Sequence, residues 1–368
     1  MVESVYHSEM AEIIEFIESI ADPLNTFNLF LSLVSIFINI LHLLILTRPT
    51  MKSSSTNVIM IGIAVMDICI LSLTIVKHAS LVDIENNECV SSNSLFKVYF
   101  DLLVWGLQDY FRRCSTWLGL LMAMIRTMIV KNMLGTQNPC LTKQRCGWLV
   151  VVIIVVLASI LSIFWNFRFR VVENRPDNLP ISCEEFQNIH ASPRYTLNLI
   201  GLFTMNEKIV SRVYLMVDAI LSKFIPCILF PILTILLIRA LHRAKKARSH
   251  SKNSNQNDHT TKLVIFMTVA FFVAEAPLGV IYMINAFYHT NDGLIIASVD
   301  VIIVFACLLT INSTCHFFFC IALSRQYRST IYYTFRLDKL VMSNVVQNAE
   351  TRNMSSIAAP SIRLISVH

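Results

Sequence analysis

The chain has 368 residues, 55% of them hydrophobic and 15% charged, with a formal net charge of +6. That much apolar surface is more than a soluble domain can bury, and the small positive balance sits in particular loops, so neither a soluble globular protein nor a nucleic-acid binder is expected. Only 8 Gly and no alternating apolar segments exclude a membrane β-barrel, because backbone polar groups in lipid must then be satisfied inside helices.

In chain order, seven apolar stretches each approach or exceed the roughly 20 residues that an α-helix needs to cross the hydrocarbon core. They are Thr26–Thr47, Asn57–Val76, Val98–Val130, Gly147–Trp165, Val213–Ile238, Lys262–Ala286 and Ala297–Ala322. The fold class is therefore an all-α membrane protein, a seven-helix transmembrane bundle. Segment 1–25 carries six acids and no Lys or Arg, whereas Arg48 and Lys52, then Arg239, Arg243, Lys245, Lys246, Arg248, Lys252 and Lys262, follow the first and fifth stretches. Positive charge stays in the cytoplasm, which places the N-terminus outside. Residues 1–25 then form an outer arm, 26–323 the membrane domain and 324–368 an eighth helix and inner tail. No charged, cleavable leader is expected ahead of Thr26, and the arm is read as solvated and partly ordered. Its Ile13, Ile14, Ile17 and Ile20 share one helical face that could instead lie on the membrane or meet a ligand.

Of 10 Cys, six fall in the helices and Cys140 and Cys146 lie toward the inner side, leaving Cys89 and Cys183 outside. Two thiols in an oxidising compartment predict one disulfide between them; two unpaired loop thiols are the alternative.

Particular residues at particular depths give the chain a resemblance to the rhodopsin-like G-protein-coupled receptors over about Thr26 to Arg328. Phe37-Ile38-Asn39-Ile40 resembles the family's first-helix Asn, and Ile63-Ala64-Val65-Met66-Asp67 its Leu-Ala-x-x-Asp. Ala123-Met124-Ile125-Arg126-Thr127 stands where the family has Asp-Arg-Tyr. Trp148, then Pro226 or Pro231, then Phe271-x-x-Ala274-Glu275-Ala276-Pro277 resemble the motifs of helices four, five and six. Asn312-Ser313-Thr314-Cys315-His316-Phe317-Phe318-Phe319-Cys320 takes the place of the seventh-helix motif. Ser324-Arg325-Gln326-Tyr327-Arg328 resembles the short amphipathic eighth helix. Three departures stand out: Ile125 for the acid beside the Arg, Glu275 for the sixth-helix Trp, and His316-Phe317-Phe318-Phe319-Cys320 for Asn-Pro-x-x-Tyr. With them the chain is similar to nematode serpentine receptor class W, a class that itself resembles FMRFamide-type neuropeptide receptors.

The resemblance implies a plasma-membrane receptor that binds an extracellular ligand and activates a heterotrimeric G protein, with arrestin a further partner and the lipid bilayer its solvent. Arg126 and Thr127, with Arg239 and Lys262, would serve coupling; an Arg that merely snorkels to headgroups is the plainer reading of Arg126 alone. Asn39, Asp67, Ser115, Asn312 and His316 match the polar centre where related receptors hold Na⁺. An imidazole favours a water or proton network there, and simple hydrogen bonding between helices is the alternative.

Gln108, Asp109, Arg112 and Glu275 are the candidate ligand pocket. Charges at membrane depth face the protein interior, and Asp109 reaches Arg112 at i+3 or Arg113 at i+4. The remaining Arg is left for Glu275. Arg112 is fourteen residues before Arg126, about four turns, the level at which the family's sixth-helix Trp packs. Arg side chains reaching an outer vestibule, with Glu275 protonated, would be the alternative. Gln108 occupies the position of the amine receptors' Asp, which disfavours biogenic amines.

A neuropeptide is the expected ligand, a small environmental molecule the alternative, and a seven-helix transporter or channel the alternative from another class. Transport should show repeated halves or broken helices, and Pro occurs only in the fifth and sixth stretches. No nucleotide loop, nucleophile elbow or metal-spaced His/Cys cluster occurs, so no enzyme activity, cofactor or resident metal is expected.

Overall fold

The computed structural model describes residues 2–86, 94–132, 141–174, 194–247, 254–288 and 292–335. The expected seven-helix bundle is its architecture. Helices α1 (Val2–Leu46), α2 (Ser55–Asn86), α3 (Leu95–Asn132) and α4 (Gln144–Phe167) precede a two-stranded antiparallel hairpin, β1 (Phe169–Asn174) and β2 (Arg194–Leu199). The fifth span is one rod made of α5 (Gly201–Ala219), a π-helical turn over Ile220–Phe224, and α6 (Ile225–Ala247). Helices α7 (Ser254–Phe287), α8 (Asp292–Leu323) and the short α9 (Arg325–Thr334) follow.

Six helices carry long apolar stretches, and α7 carries the shorter Phe271–Phe287. Helix α1 packs on α2 and α8, α2 and α4 on α3, α6 on α3 and α7, and α7 on α8, which closes a ring. In α4 the periodicity is plain: Gly147, Val151, Ile154, Ala158 and Ser162 are buried inward. Leu149, Val152, Val156, Ile160 and Ile163 are exposed. Both faces are apolar because lipid takes the place of water on the outer one.

Two features go beyond the sequence expectation. The arm before Thr26 is not a separate partly ordered segment but continues α1 from Val2, through Pro23. Its run Ala-Glu-Ile-Ile-Glu-Phe-Ile-Glu contains one Ala and three Glu, which are good helix formers, and no Gly or Pro interrupts it. The hairpin adds a small two-stranded sheet to the helices of the described residues. Its strands pair Val171 with Leu197, Val172 with Thr196 and Glu173 with Tyr195, and Val171, Val172, Thr196 and Tyr195 are the β-branched and aromatic types that suit a pleated surface. Cys89 and Cys183 lie outside the described residues. Cys140 does too.

Small and hydroxyl side chains hold the helices together. Ser35 and Thr314 hydroxyls share a 2.6 Å hydrogen bond, and Thr310 donates to Asn28 at 2.8 Å, joining α1 to α8. Thr234 and Thr268 join α6 to α7 at 2.6 Å. Such bonds contribute about 0.6 kcal/mol each in a membrane protein. Gly147 permits the closest approach: a Cβ there would stand 2.6 Å from the Ser55 carbonyl oxygen and 2.8 Å from Val58 Cβ. Gly147→Val is therefore expected to push α4 off α2 at a cost of about 3 kcal/mol, read as a lowered melting temperature in detergent.

Helix α9 is fastened to the bundle by its own cap and a buried ring. Ser324 Oγ accepts from the Tyr327 amide at 3.1 Å, and fully buried Tyr327 shares a 2.7 Å hydrogen bond with His42 Nδ1. Burial raises the pKa of the Tyr327 phenol, which keeps it a neutral hydroxyl. Arg328 donates to the Ile321 and Ala322 carbonyls at 2.8 and 2.9 Å, satisfying acceptors that the end of α8 leaves open.

Candidate functional site

A cavity of about 480 Å³ runs inside the bundle, lined from α1, α2, α3, α4, α6, α7 and α8. At the hairpin end it is walled by Lys77, Trp105 and Trp165; its opposite end reaches Asp67, Ser115 and His316. All four expected pocket residues, Gln108, Asp109, Arg112 and Glu275, line it. So do four of the five expected polar-centre residues. Asn39 lies past them, in a smaller recess shared with His42, Asp67 and His316.

The charges pair differently from the sequence expectation. Glu275, 2% exposed, accepts at 2.7 Å from Nζ of Lys223, which is 4% exposed, and Thr116 stands 3.5 Å from its other oxygen. Arg112 is not its partner: it has no ion pair or hydrogen bond among the described residues. The reason is geometric. Successive helical residues point about 100° apart, and it is Arg113 that turns into the protein, where it reaches Asp109 one turn earlier and Asp218 of α5 at 3.0 Å. Arg113 also donates to Ser222 at 2.9 Å and Ser162 at 2.8 Å, so one guanidinium ties α3 to α4 and the fifth span. Its planar set of donors is what allows four partners at once.

Lys223 reaches α7 because of two local features. The π-helical turn that contains it adds a residue to the helical turn and shifts the phase of α6, just before Pro226, whose missing N–H cannot bond back to Ser222. Gly279, one turn after Glu275, gives room: a Cβ there would meet Lys223 Cβ at 3.0 Å. Asp218, Ser222 and Lys223 were not among the residues expected from sequence. Their signal was present in two ionisable groups inside the apolar fifth stretch, since such residues mark functional or paired positions.

In the polar centre Ser115 donates to Asp67 Oδ1 at 2.7 Å, and Asn39 donates to the Ser35 carbonyl at 2.9 Å. Asp67 Oδ2 and Asn39 Oδ1 are buried without a hydrogen-bond partner. His316 and Asn312 face the same cavity. At the far end of α3, Arg126 finds no carboxylate among the described residues and instead approaches Met60 Sδ at 3.6 Å. Neighbouring Ile125 is buried in the apolar core and offers Arg126 no charge. Thr127 turns its hydroxyl onto its own helix, 2.8 Å from the Ala123 carbonyl. Arg239 is exposed; Lys262 lies in α7, its side chain outside what is described.

On the hairpin side Arg168 lies between three rings, 4.6 Å from Phe169, 5.3 Å from Tyr214 and 5.7 Å from Trp165. Cation–π attraction replaces water for a partly buried guanidinium.

Residues 26–338 match the family described as serpentine type 7TM GPCR chemoreceptor Srw. The chain belongs to that family. The receptor is also 26% identical over 143 residues to the FMRFamide peptide receptor frpr-18 of Caenorhabditis elegans. That match spans 39% of this chain and about a third of the relative, 33%. Membership makes the protein a multi-pass membrane receptor of the G-protein-coupled kind, from a family of receptors rather than of enzymes. The fold places the cavity toward the hairpin end of the bundle and Arg126 toward the other.

Proposed function

We propose that the receptor sits in the plasma membrane with its N-terminus and hairpin outside, takes a neuropeptide into the cavity between Trp105 and Glu275, and activates a heterotrimeric G protein at the Arg126 end. The observation that carries this is the continuous cavity joining Gln108, Asp109, Arg112 and Glu275 to the Asp67–His316 polar centre. A ligand at the hairpin end thereby acts on groups that link α2, α3 and α8. The orientation is supported by Lys and Arg concentrated in 239–262 against the acids of 1–25. Peptide binding is supported by the similarity to an FMRFamide peptide receptor and by the hairpin of mixed polar and apolar residues that follows Trp165 of the cavity wall. A cavity of this size accepts a peptide's end and leaves the rest on the hairpin.

A small environmental molecule is the second reading, favoured by the family's description as chemoreceptors and by a volume within the range of small-molecule sites. Arrestin would use the same inner face.

A peptide library screened for G-protein activation tests the main reading. Arg126→Ala should abolish agonist-driven activation, at least about a hundredfold, while agonist affinity and surface expression hold. Undiminished signalling in that variant would remove Arg126 from coupling. The disulfide proposed between Cys89 and Cys183 is tested in the same assay: Cys89→Ser and Cys183→Ser should lose surface expression equally, and the double variant no further.

A further inference from the structure

Five ionisable side chains other than His line the cavity, Asp67, Lys77, Asp109, Arg112 and Glu275, together with Tyr282. Their balance is uneven. Asp109 and Glu275 are answered by Arg113 and Lys223, cations that stand outside the cavity wall. Asp67 lies deeper, hydrogen-bonded by Ser115 and ten residues from Lys77 along α2, about 15 Å. Lys77 and Arg112 remain. Neither has a carboxylate within ion-pair distance among the described residues, and both line the same cavity. The contact found for Lys77 is the face of Trp105, 5.5 Å from Nζ. Beside them Gln108 gives its amide to Thr74 at 2.8 Å, which fixes that side chain against the same wall.

Two cations that line one cavity without a carboxylate partner are costly where the walls exclude water, and a bound anion would offset both. We propose that the hairpin end of the cavity is an anion subsite in which Lys77 and Arg112 hold a carboxylate of the ligand. This deepens the receptor reading above and rests on it. Arg112 offers a planar fork that matches a carboxylate's two oxygens, and Lys77 a point charge beside it. Trp105 and Trp165 supply apolar walls for the carbon skeleton next to the acid. An amidated peptide end carries no carboxylate, so such a peptide meets these cations only through an acidic side chain.

The test uses the full-length purified receptor with matched probes: 4-phenylbutyrate against 4-phenylbutyramide, and one tetrapeptide library made both as C-terminal acids and as C-terminal amides. Melting temperature reads binding; nucleotide exchange on added G protein reads signalling. Acids are expected to stabilise the receptor at concentrations at least about tenfold below their amides, the share one charge-assisted bond supplies. Lys77→Gln and Arg112→Gln should bring that ratio to about one, while Arg112→Lys keeps part of it and shows that charge rather than folding is read. A preference confined to phenylbutyrate identifies a small organic acid; one confined to the library identifies a peptide carboxylate. Equal action of acids and amides, a preference unchanged in both Gln variants, or no stabilisation by any probe overturns the subsite. Stabilisation by acids without nucleotide exchange on any G protein leaves the subsite standing and overturns the signalling reading instead.

Discussion

Lys223→Met and Glu275→Leu are each expected to lower the stability of the receptor by about 3–5 kcal/mol, and the double variant to recover most of it. Each single change strands the opposite charge in a site only 2–4% exposed, where the 2.7 Å bond is its principal partner. An uncompensated buried charge is far more damaging than the loss of the pair itself, because two apolar groups of similar volume leave nothing unsolvated. Melting temperatures of the four proteins in a double-mutant cycle give the coupling, expected at about 2 kcal/mol or more. Losses that simply add would mean that the two side chains do not interact. Arg112→Leu in combination with Glu275→Leu supplies the contrast: Arg112 is no partner of Glu275, so those effects should add.

Arg113→Met should be more damaging still, with little folded receptor recovered from cells. It removes the cation shared by Asp109 and Asp218 together with donors to Ser162 and Ser222, and so unties α4 and the fifth span from α3. Arg113→Lys keeps the charge but not the fork, and is expected to regain only part of the loss. Neutralising the acids at the same time, as Arg113→Met with Asp109→Asn and Asp218→Asn, should restore expression beyond that of Arg113→Met alone. Wild-type yield and melting temperature in Arg113→Met would show that the network contributes nothing to the fold.

Much of the molecule was legible in the chain alone. Apolar length identified seven spans whose cores coincide with the helices, since a bilayer imposes the same length on every helix that crosses it. The spacing of Arg126, Asp67, Pro277 and the Ser324–Arg328 segment along the chain carried the family, and the residues picked for the pocket do line one cavity. The helix ends were less legible. Helix α2 runs on to Asn86, and the fifth span starts at Gly201 rather than Val213, because 77–86 and 201–212 carry polar and charged residues but no Pro, so helical turns continue where the apolar signal stops. The hairpin was missed because two six-residue strands are found only by their partner, and 175–193 separates them in sequence.

What the sequence determined by itself is depth. Hydrophobic length and motif offset fix how far along its helix each charge lies, and so which charges must find partners inside the bundle. What the tertiary structure decided is direction. Asp109 could reach Arg112 or Arg113 equally well by spacing, and only the packing of α3 against the fifth span turned Arg113 inward and left Arg112 facing the cavity. Lys223 meets Glu275 because a π-helical turn shifts the helical phase and Gly279 lets two helices close. Rotation of a helix about its own axis depends on neighbours distant in sequence, and a one-residue change of phase moves a side chain by about 100°, enough to exchange one partner for another.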